Sequence, residues 1–228
     1  MIIASSSVTP FTTPGTPTSV LVTRGNAQVS LSWTAPTSNG GNAIIQYRVQ
    51  YAPEGGDDYS TWSSSISTLS TSTSYTVTGL TNGTSYKFRV VAANSAGNGT
   101  YSSASDAVIP FTTAGVPTSI VTTAGNAQVS LSWTAPTSTG GDAITDYAIQ
   151  YSSNAGSSWT TFTDSVSSST SATVTGLTNG TGYVFRVAAV NNAGTGSYSS
   201  ASGNVSPRTS PDAPSSVIAT AGNEQVSL

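Results

Sequence analysis

Thr76–Val90, TVTGLTNGTSYKFRV, returns almost letter for letter as Thr173–Val187, TVTGLTNGTGYVFRV, and the rest of the chain is laid out around these two copies. In each, a short strand ends at a Gly-Leu pair, a polar Asn-Gly turn follows, and a Tyr opens a second strand with apolar residues at every other position. Tyr86, Phe88, Val90 and Ala92 fall on one side of that extended strand, and Ser85, Lys87 and Arg89 on the other. The first set faces a core. Leu80 and Leu177 each follow a Gly that can turn freely, so they plug the end of the fold where the chain changes sheets.

A Tyr at the start of such a strand can bury its ring while its hydroxyl bonds backbone a few residues upstream, the tyrosine corner of β-sandwiches. Tyr86 and Tyr183 hold that position. The surrounding sequence repeats as well: GNAQVSLSWTAPTS occurs at Gly25–Ser38 and at Gly125–Ser138, an offset of 100, whereas the TVTGLTNGT copies are offset by 97. The three missing residues lie between YAPEGGDDYSTW, Tyr51–Trp62, and YSSNAGSSW, Tyr151–Trp159. Length therefore changes only in the connection after the third strand, as a fixed strand framework with a free surface loop requires.

In the first copy, Thr18–Thr23 reads as strand A and Gln28–Thr34 as strand B, with Val29, Leu31 and Trp33 inward. Pro36 and Gly40-Gly41 end it. Strand C runs about Ile45–Tyr51 with Tyr47, Val49 and Tyr51 inward, C′ lies around Tyr59–Ser63 and E around Tyr75–Val77. F spans about Ser85–Ala93 and G about Ala104–Thr112. The second copy maps the same way through Trp133, Tyr147, Ile149, Tyr151, Val174, Leu177, Tyr183, Phe185 and Val187. Seven short strands spaced by turn residues, with no helical periodicity, give an all-β fold of two tandem sandwiches.

Both copies resemble fibronectin type III domains. The resemblance rests on LSWTAP with Trp33 and Trp133, the YRVQY and YAIQY strands, the Gly-Leu then Tyr corner, and AANSAG and VNNAG after strand F, which together cover nearly all of residues 13–209. It implies a seven-stranded, immunoglobulin-like sandwich without a disulfide, used as a spacer or binding module in extracellular and cell-surface proteins. Trp33, Tyr47, Leu80 and Tyr86, with Trp133, Tyr147, Leu177 and Tyr183, are its structural signature. The Ser/Thr/Asn/Gly-rich, cysteine-free texture is more similar to bacterial or phage members than to animal ones. The domain boundaries expected are 14–113 and 114–210.

Residues 1–13 and 211–228 read as parts of further repeats. ASSSVTPFTT, Ala4–Thr13, matches ASDAVIPFTT, Ala104–Thr113, the last strand of a repeat, and APSSVIATAGNEQVSL, Ala213–Leu228, matches Val116–Leu131, the first strands of one. A window onto a longer array is the expected meaning. Unpaired strands that add to a neighbouring copy, giving head-to-tail self-association, are the alternative.

Charge and composition exclude several function classes. Only 7% of the 228 residues are charged, against roughly 25% in ordinary soluble domains. A net charge of −3 offers no footprint for nucleic acid or anionic lipid. No apolar run approaches the ~18 residues of a membrane span, so no membrane insertion is expected. Met1-Ile2-Ile3-Ala4 is too short for a signal peptide and lacks its basic start. The sequence has no cysteine and no histidine, which removes thiolate chemistry, the commonest general base and the commonest metal ligand. Without such a base its many Ser and Thr hydroxyls are not activated nucleophiles. Glu54, Asp57 and Asp58 cluster in the loop that the second copy shortens; they read as a solvated acidic loop rather than a Ca²⁺ site. The expectation is a protein that is not an enzyme and has no cofactor and no metal.

Binding surfaces remain. Trp62 and Trp159 align on C′, with Tyr59 just before the first, and a flat exposed aromatic can stack on a sugar ring; the competing reading folds both indoles over the core edge. Arg48, Lys87 and Arg89 share the outer face of C and F, but the second copy has Ala148, Val184 and Arg186 there, so this patch reads as unrepeated and solvated. Asn82, Asn98, Asn179 and Asn204 begin Asn-x-Ser/Thr triplets and read as turn residues. The function expected is a non-catalytic extracellular or cell-surface spacer, its short Pro-bearing links Thr112–Pro117 and Thr209–Pro214 limiting bending to a semi-rigid rod. Its partner is a protein or polysaccharide surface. A weak carbohydrate-binding or adhesive accessory module is the alternative, with virion surface decoration a third.

Overall fold

Alternation of β-branched and aromatic residues with Ser and Thr writes two faces into each extended segment, and the computed structural model turns the apolar face of each inward. It describes residues 10–53, 62, 65–211, 213, 215, 216, 218–223 and 225–227. The chain divides into two compact units that do not follow the repeat boundary: the first joins Pro136–Asp146 and Ala189–Ser197 to the first repeat, and the second holds Pro117–Ala135, Tyr147–Ala188 and the segment from Tyr198 onward.

The first repeat contains β1 (Thr18–Gly25), β2 (Gln28–Thr34), β3 (Gln46–Pro53), β4 (Ile66–Ser67), β5 (Ser74–Thr78), β6 (Tyr86–Asn94) and β7 (Gly97–Asn98). They form two antiparallel sheets, β1-β2-β5 and β4-β3-β6-β7. The second repeat contains β8 (Thr118–Gly125), β9 (Gln128–Thr134), β10 (Asp146–Ser152), β11 (Thr160–Phe162), β12 (Ser171–Thr175), β13 (Val184–Asn191) and β14 (Gly194–Thr195). Its sheets are β8-β9-β12 and β11-β10-β13-β14. A hairpin of β15 (Thr220–Gly222) and β16 (Gln225–Ser227) follows.

In the first repeat the core is filled by Val29, Leu31 and Trp33 from β2, Tyr47 and Val49 from β3, Val77 from β5, and Phe88, Val90 and Ala92 from β6, all buried. Trp33 meets Tyr47 edge-on, with ring centroids 5.1 Å apart at 64°, and Trp133 repeats the contact with Tyr147 at the same values. Burial pushes the Tyr47 and Tyr147 hydroxyls above the ordinary tyrosine range, because the phenolate cannot be solvated there. Tyr51 and Tyr151, expected inward, are half-buried and pack against core aromatics, Tyr51 with its ring centroid 5.8 Å from that of Tyr86 and 6.1 Å from that of Phe88, Tyr151 at 6.0 Å from Tyr183.

The corner forms as its sequence requires. Gly79 and Gly176 take φ of +75°, Leu80 and Leu177 are buried behind them, and the amides of Thr81 and Thr178 donate to the hydroxyls of Tyr86 and Tyr183 at 3.1 and 3.2 Å. Each corner is also tied to the β1–β2 or β8–β9 turn. Asn82 Oδ1 accepts from the Ala27 amide at 2.8 Å while its Nδ2 donates to Asn26 Oδ1, and Asn179 does the same to Ala127 and Asn126. Removing one hydroxyl, by Tyr86→Phe or Tyr183→Phe, is expected to cost about 1 kcal/mol in denaturant unfolding while leaving the sandwich intact. In the tied turns Ala27 and Ala127 sit at φ of +51° and +52°, a conformation costing an L-residue roughly 1–2 kcal/mol. Ala27→Gly should therefore stabilise its repeat by about 0.5–1 kcal/mol, read as a raised denaturant midpoint.

The expected strand G over Ala104–Thr112 is not a continuous strand. Instead, amides three residues apart, Gly99, Ser102, Ser105 and Val108, donate to carbonyls two residues apart on β6, those of Ala92, Val90, Phe88 and Tyr86. Three residues thus pass for every two, a bulge repeated at each step. The β6 amides that this leaves over find a side chain: Val90 and Phe88 donate to Ser102 Oγ and Ser105 Oγ at 3.0 and 3.1 Å. YSSAS at Tyr198–Ser202 repeats the arrangement, with Ser199 and Ser202 accepting from Val187 and Phe185. Each such serine oxygen replaces a backbone carbonyl and satisfies a buried donor.

The segment leading into each repeat is clamped to its loops. Thr12 and Gly15 donate through their amides to the carbonyls of Gly40 and Ser38, and Thr112 and Gly115 to those of Gly140 and Ser138. Buried Asn94, at the end of β6, closes the clamp. Its Nδ2 donates to the carbonyls of Thr12 and Asn39 at 2.7 and 2.9 Å, while its Oδ1 accepts from the Ala96 amide at 2.9 Å. Asn191 makes the same three bonds, to Thr112, Thr139 and Ala193.

Candidate functional site

The expected C′ strand around Tyr59–Ser63 lies almost wholly outside the described residues, as do Tyr59, Glu54, Asp57 and Asp58. The strand that pairs beside β3 is β4, with Val49 opposite Ile66 and Arg48 opposite Ser67. In the second repeat Trp159 stands one residue before β11 rather than within it. Trp62 and Trp159 are both half-buried. They neither fold over the core nor stand free.

Each indole instead lies against an arginine on the outer face of the β3–β6 or β10–β13 sheet. Alternation places Arg89 outward on β6, directly across from Gln50 on β3, and Arg89 Nε donates to Gln50 Oε1 at 2.8 Å. With its fork held, the guanidinium carbon sits 4.2 Å from the Trp62 ring centroid and 4.4 Å from that of Tyr101. Arg186 repeats this with Gln150 (2.9 and 2.6 Å), Trp159 (4.2 Å) and Tyr198 (4.6 Å). A guanidinium over an aromatic face is attracted by the ring quadrupole, by roughly 0.5–2 kcal/mol according to solvation. The contact also covers one face of each indole.

Tyr101 and Tyr198 carry half of this arrangement. Their signal is the Tyr that opens YSSAS in both copies, in register with the Trp and Arg of each. The basic patch read as unrepeated contains one member, Arg89 matched by Arg186, that is repeated and stacked. Arg89→Met or Arg186→Met should release the neighbouring indole, seen as red-shifted, more quenchable tryptophan emission, with a stability loss of about 1 kcal/mol.

The concave surface carries little chemistry. A groove of about 290 Å³ is lined by Thr16–Val20 and Ser102–Ala104, and one of about 440 Å³ by Val20–Arg24 and Asp106–Val108. Their only ionisable side chains are Arg24 and Asp106, with no nucleophile–base pair. Among the described residues no three Asp or Glu side chains converge on a point that could hold a metal ion.

The sequence is 35% identical over 206 residues to chitinase A1 of Niallia circulans, covering 86% of this chain and 25% of that protein. It is 31% identical over 177 residues to the striated-muscle M-protein of Gallus gallus (75% of this chain, 12% of that protein) and 32% identical over 190 residues to exoglucanase B of Cellulomonas fimi (79% and 16%). The chain thus spans a quarter or less of the length of these relatives. The profile of the fibronectin type III domain matches residues 15–108 and 116–204. With two all-β sandwiches closed by tyrosine corners, these matches make the chain a tandem member of the fibronectin type III family.

Proposed function

We propose that the chain is a non-catalytic, extracellular spacer whose two repeats hold other parts of a longer protein at a fixed remove. The observation that carries this reading is the run of bonded backbone from Pro110 to Gly115. The Pro110 carbonyl accepts from Gly83, the Phe111 amide donates to Gly25, and Thr112 and Gly115 donate to Gly140 and Ser138. A connector bonded at Pro110, Phe111, Thr112 and Gly115 has little conformational freedom left to lose under load. The likeness to a chitinase and an exoglucanase supports an extracellular setting, since polymeric substrates of that kind are met outside the cell.

The test is backbone amide relaxation of residues 111–115. Order parameters equal to those of β2 and β9 support a stiff spacer; values typical of a free linker, below about 0.6, count against it.

The alternative reading, an accessory module that holds polysaccharide on Trp62 and Trp159, draws on the same two relatives. Against it stands the stacked guanidinium on each indole, which a sugar ring would have to share or displace.

A further inference from the structure

β1 ends on Arg24 and Gly25, and the Gly25 carbonyl accepts from the Phe111 amide at 3.0 Å. That bond sets the Phe111 ring beside the preceding side chain, so that the Arg24 guanidinium carbon lies 4.1 Å from the ring centroid. The same guanidinium reaches Asp142, with Nη1 3.5 Å from Oδ1. Asp142 is held from its other side, where Oδ2 accepts from Asn192 Nδ2 at 2.8 Å. Gly141 lets the loop come this close: a Cβ there would lie 2.5 Å from the Gly83 nitrogen and 2.8 Å from the Pro110 carbonyl oxygen. Arg24, Gly83, Phe111, Asp142 and Asn192 all belong to the first compact unit.

An isolated surface ion pair contributes little, because two long side chains must be immobilised while water screens their charges. Here the Asp142 side chain is only 15% exposed, and the guanidinium is fixed by the ring as well as by the carboxylate. Burial alone would raise the Asp142 carboxyl; the Asn192 bond, the Arg24 charge and the Ala143 amide together outweigh it and hold the group below the ordinary aspartate range. The arrangement is not repeated. At the matching places the second repeat has Ala124 for Arg24 and Arg208 for Phe111, and the first has Asn42 for Asp142. Phe11, the counterpart of Phe111 ahead of the first repeat, is 51% exposed, whereas Phe111 is half-buried.

We propose that Arg24, Phe111 and Asp142 form an ionic latch that closes the connector onto the end of β1, and that ionic strength sets how firmly it is closed. With the spacer reading as its basis, the latch adds a control to that connector. Thr112 is held by bonds between neutral groups, from the Asn191 amide and to the Gly140 carbonyl, and salt leaves these in place. Phe111 depends in addition on a charge pair whose cation is 39% exposed and therefore open to screening. The screening length falls from about 8 Å at physiological ionic strength to about 3 Å at 1 M.

The test is amide hydrogen exchange at Phe111 in the whole chain, followed by NMR. Arg24→Ala and Asp142→Asn each introduce the residue that the other repeat carries at the matching place, so neither asks the fold for a new arrangement. Arg24→Ala should speed exchange at Phe111 about fivefold, the loss of one such contact, with the β2 and β9 amides unchanged. Asp142→Asn, which keeps an acceptor for Asn192, should act in the same direction. The double variant should exchange no faster than Arg24→Ala alone, because the two side chains act as one unit. Raising salt to about 1 M should bring the wild-type rate at Phe111 towards that of Arg24→Ala and leave Arg24→Ala itself unmoved. Thr112 and Gly115 should stay slow throughout. A Phe111 rate indifferent to Arg24→Ala and to salt, with Thr112 and Gly115 slow, overturns the latch and leaves the spacer reading standing. So does full additivity of the two variants. Fast exchange at Thr112 and Gly115 in the wild type overturns both.

Discussion

Asn94→Ala is expected to lower the unfolding free energy of its repeat by about 3 kcal/mol, and Asn191→Ala to do the same to the other. Each asparagine is buried and makes three hydrogen bonds to backbone, two as donor and one as acceptor. Truncation leaves two carbonyls and one amide without their partner, at about 1 kcal/mol or more apiece where water does not replace it. Asn94→Asp separates hydrogen bonding from shape. It keeps the acceptor for Ala96 but turns the donor into an anion facing the carbonyls of Thr12 and Asn39. The carboxyl's pKa is then raised in the fold, so the variant is least stable near neutrality and recovers as pH falls through that raised value. Denaturant unfolding at two pH values reads both effects.

Gly40→Ala is expected to cost about as much through a different route. A Cβ at Gly40 would lie 2.1 Å from the Thr12 carbonyl oxygen and 2.6 Å from that of Thr13, and at Gly140 it would lie 2.2 and 2.5 Å from those of Thr112 and Thr113. Both glycines also sit at positive φ, +73° and +76°, where an L-residue is strained by roughly 1–2 kcal/mol. The lead-in segment must move away, which gives up the Thr12–Gly40 bond and the Asn94–Thr12 bond together; the total comes to about 3 kcal/mol. Because both substitutions act on the Thr12 carbonyl, the double variant Gly40→Ala/Asn94→Ala should fall short of additivity by about 1 kcal/mol in a double-mutant cycle. Full additivity would mean that the two residues hold different things.

Much of this fold was legible in the repeated stretch and its flanks. Period-two alternation placed β2 at its observed bounds, and the Gly-Leu-then-Tyr spacing placed both tyrosine corners down to the hydroxyl that accepts from backbone upstream. The G edge was not legible, because a reading by alternation seeks residues two apart while Ser102 and Ser105, like Ser199 and Ser202, act three apart and through their hydroxyls. The role of Asn94 and Asn191 was hidden for a related reason. Their motif was visible in AANSAG and VNNAG, but the partners stand about eighty residues earlier in the sequence, at Thr12 and Thr112. Trp62 and Trp159 are visible in the sequence as aligned aromatics, but the arginine that each covers is not, because Arg89 and Arg186 stand 27 residues further along the chain and only chain reversal brings them beside the rings.

The clamp and the bonded connector are the physical basis of the spacer proposal, and amide hydrogen exchange at Thr112 and Gly115 tests them most directly. The account predicts exchange slowed to the rate of the neighbouring sheet in the intact chain, and released selectively at these two amides by Asn191→Ala. Exchange at the rate of an unstructured peptide in the intact chain would contradict it.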